Sequence, residues 1–217
     1  MCFCLFLTNY RFLQWSIAIS VAVFVICFAI IATLGFTPLY YFDVRHLNIA
    51  EQTGIGNARI AENYNYTILY LLNPFSQSFD LPSLASSTGG RIHFQDVKRI
   101  FTAIEVLFVL SAVISAIGIR KNIRYRDYSF LKPAAIVLTL FTIIPLLMFA
   151  IDFNRTFIMF HKLFFRNNYW IFDPSTDPII NILPETFFLH AALLILGIIA
   201  ICITAMVLIN RRLAVNN

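Results

Sequence analysis

Two histidines in this chain of 217 residues have surroundings that suit proton transfer. His161 lies in the aromatic stretch 160–188, which also contains Trp170 and several acidic residues. His93 lies just before another apolar run. Histidine is the side chain best suited to exchange protons near neutral pH, although many histidines only hydrogen-bond a carbonyl group or a headgroup. The spacing alone leaves a catalytic pair and two ordinary contacts as equally good interpretations.

The acidic residues near these histidines also allow two interpretations. Asp96 follows His93 by one helical turn, so it can orient the imidazole as a carboxylate does in a catalytic triad, or it can cap a helix. Asp173 and Asp177 each precede a proline, which is typical of an N-cap residue followed by a proline in the first helical position. Glu185 opens the last apolar run, where an acid is favourable at a helix N-terminus.

Several sequence motifs of known enzymes are missing. The chain contains no HExxH, CxxC or GxSxG motif and no P-loop. Serine and threonine residues have no fixed relation to either histidine, which disfavours a lipase with a serine nucleophile. The histidines and acids have no metal-ligand spacing, so we expect neither a metal nor another cofactor.

The composition predicts an all-α membrane protein. The chain is 59% hydrophobic and 12% charged, with a mean hydropathy of +0.78, whereas a soluble domain has about 25% charged residues. A membrane-spanning helix needs about 20 apolar residues to cross about 30 Å of hydrocarbon. Residues 15–36, 100–119, 133–151 and 186–210 meet this length. We therefore predict four transmembrane helices in one membrane domain, residues 1–217.

The basic residues predict how the chain is oriented in the membrane. With four spans both termini lie on the same side, and basic residues accumulate in cytoplasmic segments. That side contains a single acid, Asp127, against these basic residues: Arg11, Arg120, Lys121, Arg124, Arg126, Lys132, Arg211 and Arg212. Both termini are therefore expected in the cytoplasm, and loops 37–99 and 152–185 form a sizeable extracytoplasmic region. The net charge of +5 is explained by this topology and does not indicate nucleic-acid binding.

The two outer loops contain signals for local structure. Residues 57–72 have apolar positions at helical spacing and precede Pro74. Residues 37–44 are rich in aromatic residues and are expected to be extended. Residues 86–90, Ser-Ser-Thr-Gly-Gly, predict a flexible turn before the second span. Residues 156–165 are too short to span and suit an aromatic helix lying at the membrane interface.

Two sequence motifs make the chain similar to a known family. The first is residues 93–98, His-Phe-Gln-Asp-Val-Lys. The second runs from Phe-His-Lys-Leu-Phe-Phe at 160–165 through Trp170 and the two Asp-Pro pairs to Pro-Glu-Thr-Phe-Phe at 184–188. With these motifs, and with its length and four predicted spans, the chain resembles the lipoprotein intramolecular transacylase (Lit) family of bacterial integral membrane proteins.

The resemblance implies an acyl transfer within a diacylated lipoprotein, in the cell membrane of a Gram-positive bacterium. The sn-2 acyl group moves from the glyceryl moiety to the α-amine of the lipid-bearing cysteine, which leaves a lyso-form lipoprotein. His93 and His161 are implied as the catalytic acid and base, at the extracytoplasmic face. We further expect Asp96, Asp173 and Asp177 to orient the histidines or to shape the loop, with Trp170 and Glu185 as additional supporting residues. The implied partners are diacylated lipoproteins and membrane lipids.

Two other classes of protein remain as alternatives. A non-enzymatic scaffold or receptor with four spans predicts that either histidine can be replaced without loss, but it leaves the 160–188 motif without a purpose. Another lipid-modifying hydrolase, assisted by a metal, predicts that a chelator removes activity. Since donor ester and acceptor amine belong to one molecule, the transacylase needs no protein nucleophile, which fits the lack of a serine or cysteine motif.

Overall fold

The computed structural model describes the backbone of residues 2–215 and the side chains of residues 10–213. Within this range the secondary structure is entirely helical, and no strand is present. The helices are α1 Cys2–Gly35, α2 Thr37–His46, α3 Ile49–Thr53, α4 Asn57–Leu72, α5 Thr88–Arg124, α6 Leu131–Phe164, α7 Ile179–Ile182 and α8 Glu185–Val215.

Four of these helices are long and apolar enough to cross a membrane. They contain the candidate spans Tyr10–Gly35, Thr88–Arg124, Leu131–Phe164 and Glu185–Leu213. Large hydrophobic side chains such as Leu110, Leu147 and Ile201 are exposed on them, which suits contact with lipid. The predicted all-α membrane protein with four transmembrane helices is therefore confirmed.

The chain divides into two compact units, and the first consists of parts of the long helices. It is formed by the described residues of Met1–Ile31, Glu105–Leu147 and Leu194–Asn217. Small residues of α1, Ala18 and Ala22, are fully buried there. At Gly118 of α5 an added Cβ atom would lie 2.7 Å from Cγ1 of Ile17, so only glycine permits this approach of the two helices.

The second unit, Ala32–Ile104 and Met148–Leu193, contains both histidines highlighted by the sequence. Its core is aromatic, and the ring centroids of Tyr40 and Tyr64 lie 3.6 Å apart. The Tyr40 hydroxyl donates a 2.8 Å hydrogen bond to the carbonyl oxygen of Ile182. Burial raises the pKa of Tyr40, which keeps this hydroxyl protonated as a donor. Lys98 links α5 to α4, because its ammonium donates to the Tyr70 carbonyl oxygen at 2.9 Å.

Helix α4 confirms the prediction for residues 57–72. Its buried face includes Ile60, Tyr64, Ile68 and Leu71, which recur at helical spacing. The helix ends at Leu72, before Pro74. The spacing of apolar residues was sufficient to predict this helix because one face of α4 is buried along its length.

Two predictions for the first outer loop were wrong. Residues 37–44 belong to helix α2, not to an extended segment. Pro38 is tolerated in the first helical turn, and Tyr40, Asp43 and Val44 are buried at helical spacing, so tertiary packing outweighs the β propensity of the aromatic residues. Residues 88–90 form the first turn of α5, where the Gly90 N–H donates a 3.0 Å capping bond to the Ser87 hydroxyl.

Helix α6 is interrupted at Asp152, whose backbone is extended (φ −165°, ψ 103°). The Asp152 carboxylate accepts a 3.0 Å bond from the Arg155 N–H, as an N-cap residue does at the start of a new helix. The short helix expected around residues 156–165 is therefore present as the second part of α6, which ends at Phe164. Its position at the membrane interface stays a prediction.

Candidate active site

The structure brings His93 and His161 together within the second compact unit. His93 lies near the start of α5, and His161 lies in the second part of α6. The centroids of the two imidazole rings are 6.0 Å apart, and the ring planes are tilted by 30°. The sequence contains no pattern that specifies this distance, because the two residues are far apart in the chain.

Aromatic rings surround both imidazoles. The His93 ring packs edge-on against Phe165 at 4.7 Å and Phe172 at 5.3 Å, measured between centroids. The His161 ring lies 4.2 Å from Phe157 and 4.9 Å from Trp170. These rings offer few hydrogen-bonding groups, so they position the imidazoles by packing. The imidazole nitrogen atoms are therefore largely left to bond other groups.

The hydrogen bond of His161 determines which of its nitrogens carries the proton. Nδ1 lies 2.8 Å from the carbonyl oxygen of Phe157, one helical turn earlier. A carbonyl oxygen only accepts, so Nδ1 must be the donor, and Nε2 of the neutral ring retains a lone pair. Nε2 of His161 is therefore able to accept a proton.

His93 is almost completely buried and has one nitrogen without a partner. The residue is 6% exposed, and Nδ1 has no hydrogen-bond partner among the described residues. Buried polar atoms are nearly always paired in folded proteins. A doubly protonated ring would have an unsatisfied N–H in these apolar surroundings, which is unfavourable.

Asp96 stabilises the loop after α6 and makes no described hydrogen bond to His93. One carboxylate oxygen pairs with Arg99 at 2.8 Å, and the other accepts a 3.0 Å bond from the Asn167 amide. Asn167 in turn accepts a 3.1 Å bond from the Tyr169 N–H. Asp96 does not cap a helix either, because α5 already begins at Thr88. Its carboxylate thus holds the turn that leads to Trp170.

Asp177 anchors the start of α5 and does not cap its own helix. It is 3% exposed, and its carboxylate accepts a 2.8 Å bond from the Ser87 N–H and a 2.9 Å bond from the Thr176 hydroxyl. Helix α7 begins after Pro178 and has no side-chain cap, so the expected N-cap role is wrong for Asp177. This bond instead fixes the helix that contains His93.

Asp173 forms a tight turn at the surface. Its carboxylate accepts bonds from the hydroxyl and the backbone N–H of Ser175, at 2.7 and 2.9 Å. These two bonds lower the pKa of the Asp173 carboxyl. The structure therefore shows a turn-forming acid at this position, with neither an N-cap role nor a described contact to the histidines.

Glu185 lies in the first turn of α8, as expected, where its charge is favourable to the helix N-terminus. Its carboxylate also accepts a 2.7 Å bond from the Asn154 amide of α6. Glu185 therefore links α8 to the part of α6 that carries His161. The described side chains form no group of three or more histidine, cysteine or acidic residues able to hold a metal ion.

One hydrogen-bonded pair of this unit that involves a buried acid was missed from the sequence. Asp43 of α2 is completely buried, and its Oδ1 lies 2.8 Å from Nδ1 of His190 on α8. The second oxygen, Oδ2, has no partner among the described residues. In the sequence, a single acid within an aromatic run is only a weak indication of such a pair. The burial of Asp43 follows only once residues 37–46 are known to form a helix.

Replacing Asp43 with alanine is expected to lower the free energy of unfolding by about 3 kcal/mol, since removing one member of a buried pair leaves its partner unsatisfied. Thermal unfolding of the detergent-solubilised protein, followed by tryptophan fluorescence, measures the effect. The matched control is Asp80→Ala, because Asp80 pairs with Arg91 at the surface and is expected to contribute less than about 1 kcal/mol. The double variant Asp43→Ala/His190→Ala should have nearly the same free energy of unfolding as Asp43→Ala alone. If the losses of the two single variants simply add in the double variant, the two side chains are not paired.

The fold and the site together define a class, the polytopic all-α membrane proteins with paired histidines among aromatic side chains. The family model for the lipoprotein intramolecular transacylase Lit matches residues 15–188. The crystal structure of the membrane-integral lipoprotein intramolecular transacylase Lit from Bacillus cereus is 36% identical, with a TM-score of 0.92 over 95% of this chain and 96% of that chain. The chain therefore belongs to the lipoprotein intramolecular transacylase family, and it is an acyltransferase.

Further solved structures of the Bacillus cereus protein match as well. Two carry a substitution of one histidine, by arginine or by alanine. Each is 34% identical to this chain, has a TM-score of 0.86 and covers 98% of it. No match was found among curated proteins.

Proposed function

We propose that this protein moves the sn-2 acyl chain of a diacylglyceryl lipoprotein to the α-amine of its N-terminal cysteine, with His93 and His161 as acid and base. The observation that carries this proposal is the 6.0 Å separation of the two imidazole rings, which aromatic side chains surround. Membership of the transacylase family supports the lipoprotein substrate.

The fixed tautomer of His161 supports its assignment as the base. Nε2 accepts a proton from the cysteine amine as the amine attacks the ester carbonyl carbon, and the new C–N bond forms. The bond from that carbon to the sn-2 oxygen then breaks. His93 donates its N–H proton to the leaving oxygen while its other nitrogen accepts the proton that His161 took from the amine, so His93 passes a proton on without becoming doubly protonated or anionic. Both rings are neutral again at the end, and the reaction consumes no water and no cofactor.

The enzyme's main task in this reaction is to hold one conformation of the substrate. Attack closes a ring of about eight atoms, through the cysteine, its sulfur and two glycerol carbons. Rings of this size close slowly in a flexible chain because many rotations must be fixed at once. The aromatic rings packed around the two imidazoles suit that purpose, and they also exclude water that would hydrolyse the ester.

The charge distribution supports the orientation of the protein in a bacterial cell membrane. Basic residues accumulate on the side of both termini, so the termini lie in the cytoplasm and the site lies at the extracytoplasmic face. The first and second outer loops form the extracytoplasmic region that holds the histidines. The whole chain, residues 1–217, acts as one membrane domain with diacylated lipoproteins and membrane lipids as its partners.

Tandem mass spectrometry of a lipoprotein N-terminus tests this function, in cells that make this protein and in cells that do not. The substrate and the proposed product are isomers, so the intact mass stays the same while fragmentation shows an acyl chain on the cysteine nitrogen. A hydrolase would instead produce a lipopeptide lighter by one acyl chain. A non-enzymatic scaffold would leave the diacylglyceryl form unchanged, and either result would contradict the proposal.

A further inference from the structure

The indole of Trp170 has an unusual environment beside His161. Its ring centroid lies 4.9 Å from that of the imidazole, with the planes tilted by 33°. The indole nitrogen Nε1 is buried and has no hydrogen-bond partner among the described residues. Backbone donors on both sides are satisfied, since the Tyr169 N–H bonds to Asn167 and the Ile171 N–H bonds to Asn168. The missing partner is therefore specific to the Trp170 side chain.

An unpaired indole N–H is costly to maintain. The group can only donate, and leaving a buried donor unpaired costs about 1–3 kcal/mol. Buried tryptophan residues usually find a partner for this group for that reason. Other buried polar atoms without partners in this unit include Nδ1 of His93, on the second imidazole of the pocket. The two atoms thus have hydrogen-bonding capacity that no described residue uses.

The loop around Trp170 is held firmly enough to keep this donor in place. Asp96 bonds Asn167, and Asn167 bonds the backbone of Tyr169, the residue before the tryptophan. The Tyr169 ring packs against α5 so closely that a Cβ atom on Gly89 would lie 3.0 Å from its Cδ1 atom. A donor fixed in advance stabilises charge that develops in a transition state without reorganising at the moment of reaction.

The proposed acyl transfer needs a donor that the two histidines do not supply. When the amine attacks, the carbonyl oxygen of the sn-2 ester gains negative charge. The Nδ1–H of His161 is already bonded to Phe157, and His93 protonates the leaving oxygen. We propose that the Nε1–H of Trp170 donates a hydrogen bond to this oxyanion, which makes Trp170 a third catalytic residue. The bond forms as charge develops and is lost when the C–O bond breaks; no proton leaves the indole.

This inference rests on the proposed function, and substitution of Trp170 by phenylalanine tests it. Phenylalanine keeps an aromatic ring at this position and removes the indole N–H, together with part of the volume of the indole. We expect kcat for a synthetic diacylglyceryl lipopeptide to fall about 100- to 1,000-fold with KM within about threefold, as for the loss of one oxyanion donor. Trp15→Phe is the matched control, because Trp15 lies on α1 in the other compact unit and is expected to leave kcat unchanged.

A second variant covers the case in which Trp170→Phe fails to fold. Benzothienylalanine at position 170 retains the size of the indole and replaces the N–H with sulfur, so it should show the same fall in kcat. A kcat within threefold of wild type for either folded variant would overturn the role of Trp170 and show that the ring only positions His161. Absence of product from the wild-type protein would instead refute the proposed function itself, so the two failures are distinguishable.

Discussion

Replacing His161 with glutamine is expected to reduce the rate of acyl transfer by about 100- to 10,000-fold. Glutamine still reaches the Phe157 carbonyl oxygen with its amide, but it cannot accept a proton from the amine, and acid–base catalysis by a positioned side chain contributes roughly 100- to 10,000-fold. The rate is measured as loss of the reactive α-amine from a purified lipopeptide. His46→Gln is the control, since His46 is exposed and stacks on Phe42, and it should retain the wild-type rate.

The double variant tests whether the histidines act in one reaction. His93→Gln should lower the rate by a similar factor, and the double variant should be no more than a few times slower than the slower single variant. Residues that act as a unit show such non-additive losses because the first substitution already stops the shared step. A single variant with more than a tenth of the wild-type rate, or losses that multiply, would contradict the paired mechanism.

Substitution of Gly90 by alanine is expected to lower the free energy of unfolding by about 3 kcal/mol and the rate more than tenfold. The new Cβ atom would lie only 3.0 Å from Cγ of Asp177 and even closer to its Oδ1 atom. The carboxylate must move, and it is buried and bonded to the Ser87 N–H, so the substitution combines overpacking with loss of a charged hydrogen bond. Because Ser87 caps α5, the start of the helix that carries His93 moves too.

Thermal unfolding and the lipopeptide assay measure the two effects of Gly90→Ala. The control is Gly197→Ala in α8, where nothing lies within 4 Å of the added Cβ atom. Alanine there should be neutral or stabilising by up to about 1 kcal/mol, since glycine is the poorer helix former. The double variant Gly90→Ala/Asp177→Ala removes the clash and should be less destabilised than the sum of the two single changes. A Gly90→Ala protein as stable and active as wild type would show that α5 is not anchored by Asp177.

Sequence reasoning succeeded where a structural signal is local. The four spans depend on the length of apolar runs, and α4 depends on apolar residues at helical spacing, so both could be predicted. The extended segment predicted for residues 37–44 failed because burial of Tyr40 and Asp43 in the core favours a helix over the intrinsic preference of aromatic residues.

The partners of the acidic residues could not be predicted in this way. Asp177 bonds Ser87 across 90 residues, and Asp43 pairs with His190 across 147. Asp96 has His93 as its sequence neighbour, yet its carboxylate bonds Arg99 and Asn167. A carboxylate bonds whichever donor the folded chain brings within about 3 Å, and the spacing of residues along the chain does not specify that distance.

The sequence by itself thus determined that this is an all-α membrane protein and which two histidines are the candidates for proton transfer. Those features depend on composition, on apolar length and on motifs that remain recognisable without coordinates. Only the tertiary structure decided that the two imidazoles lie close together, that Asp177 anchors the helix of His93, and that the indole nitrogen of Trp170 has no partner among the described residues. The physical reason is that each of these features depends on which distant parts of the chain pack together, and only the folded core sets the separation of their side chains.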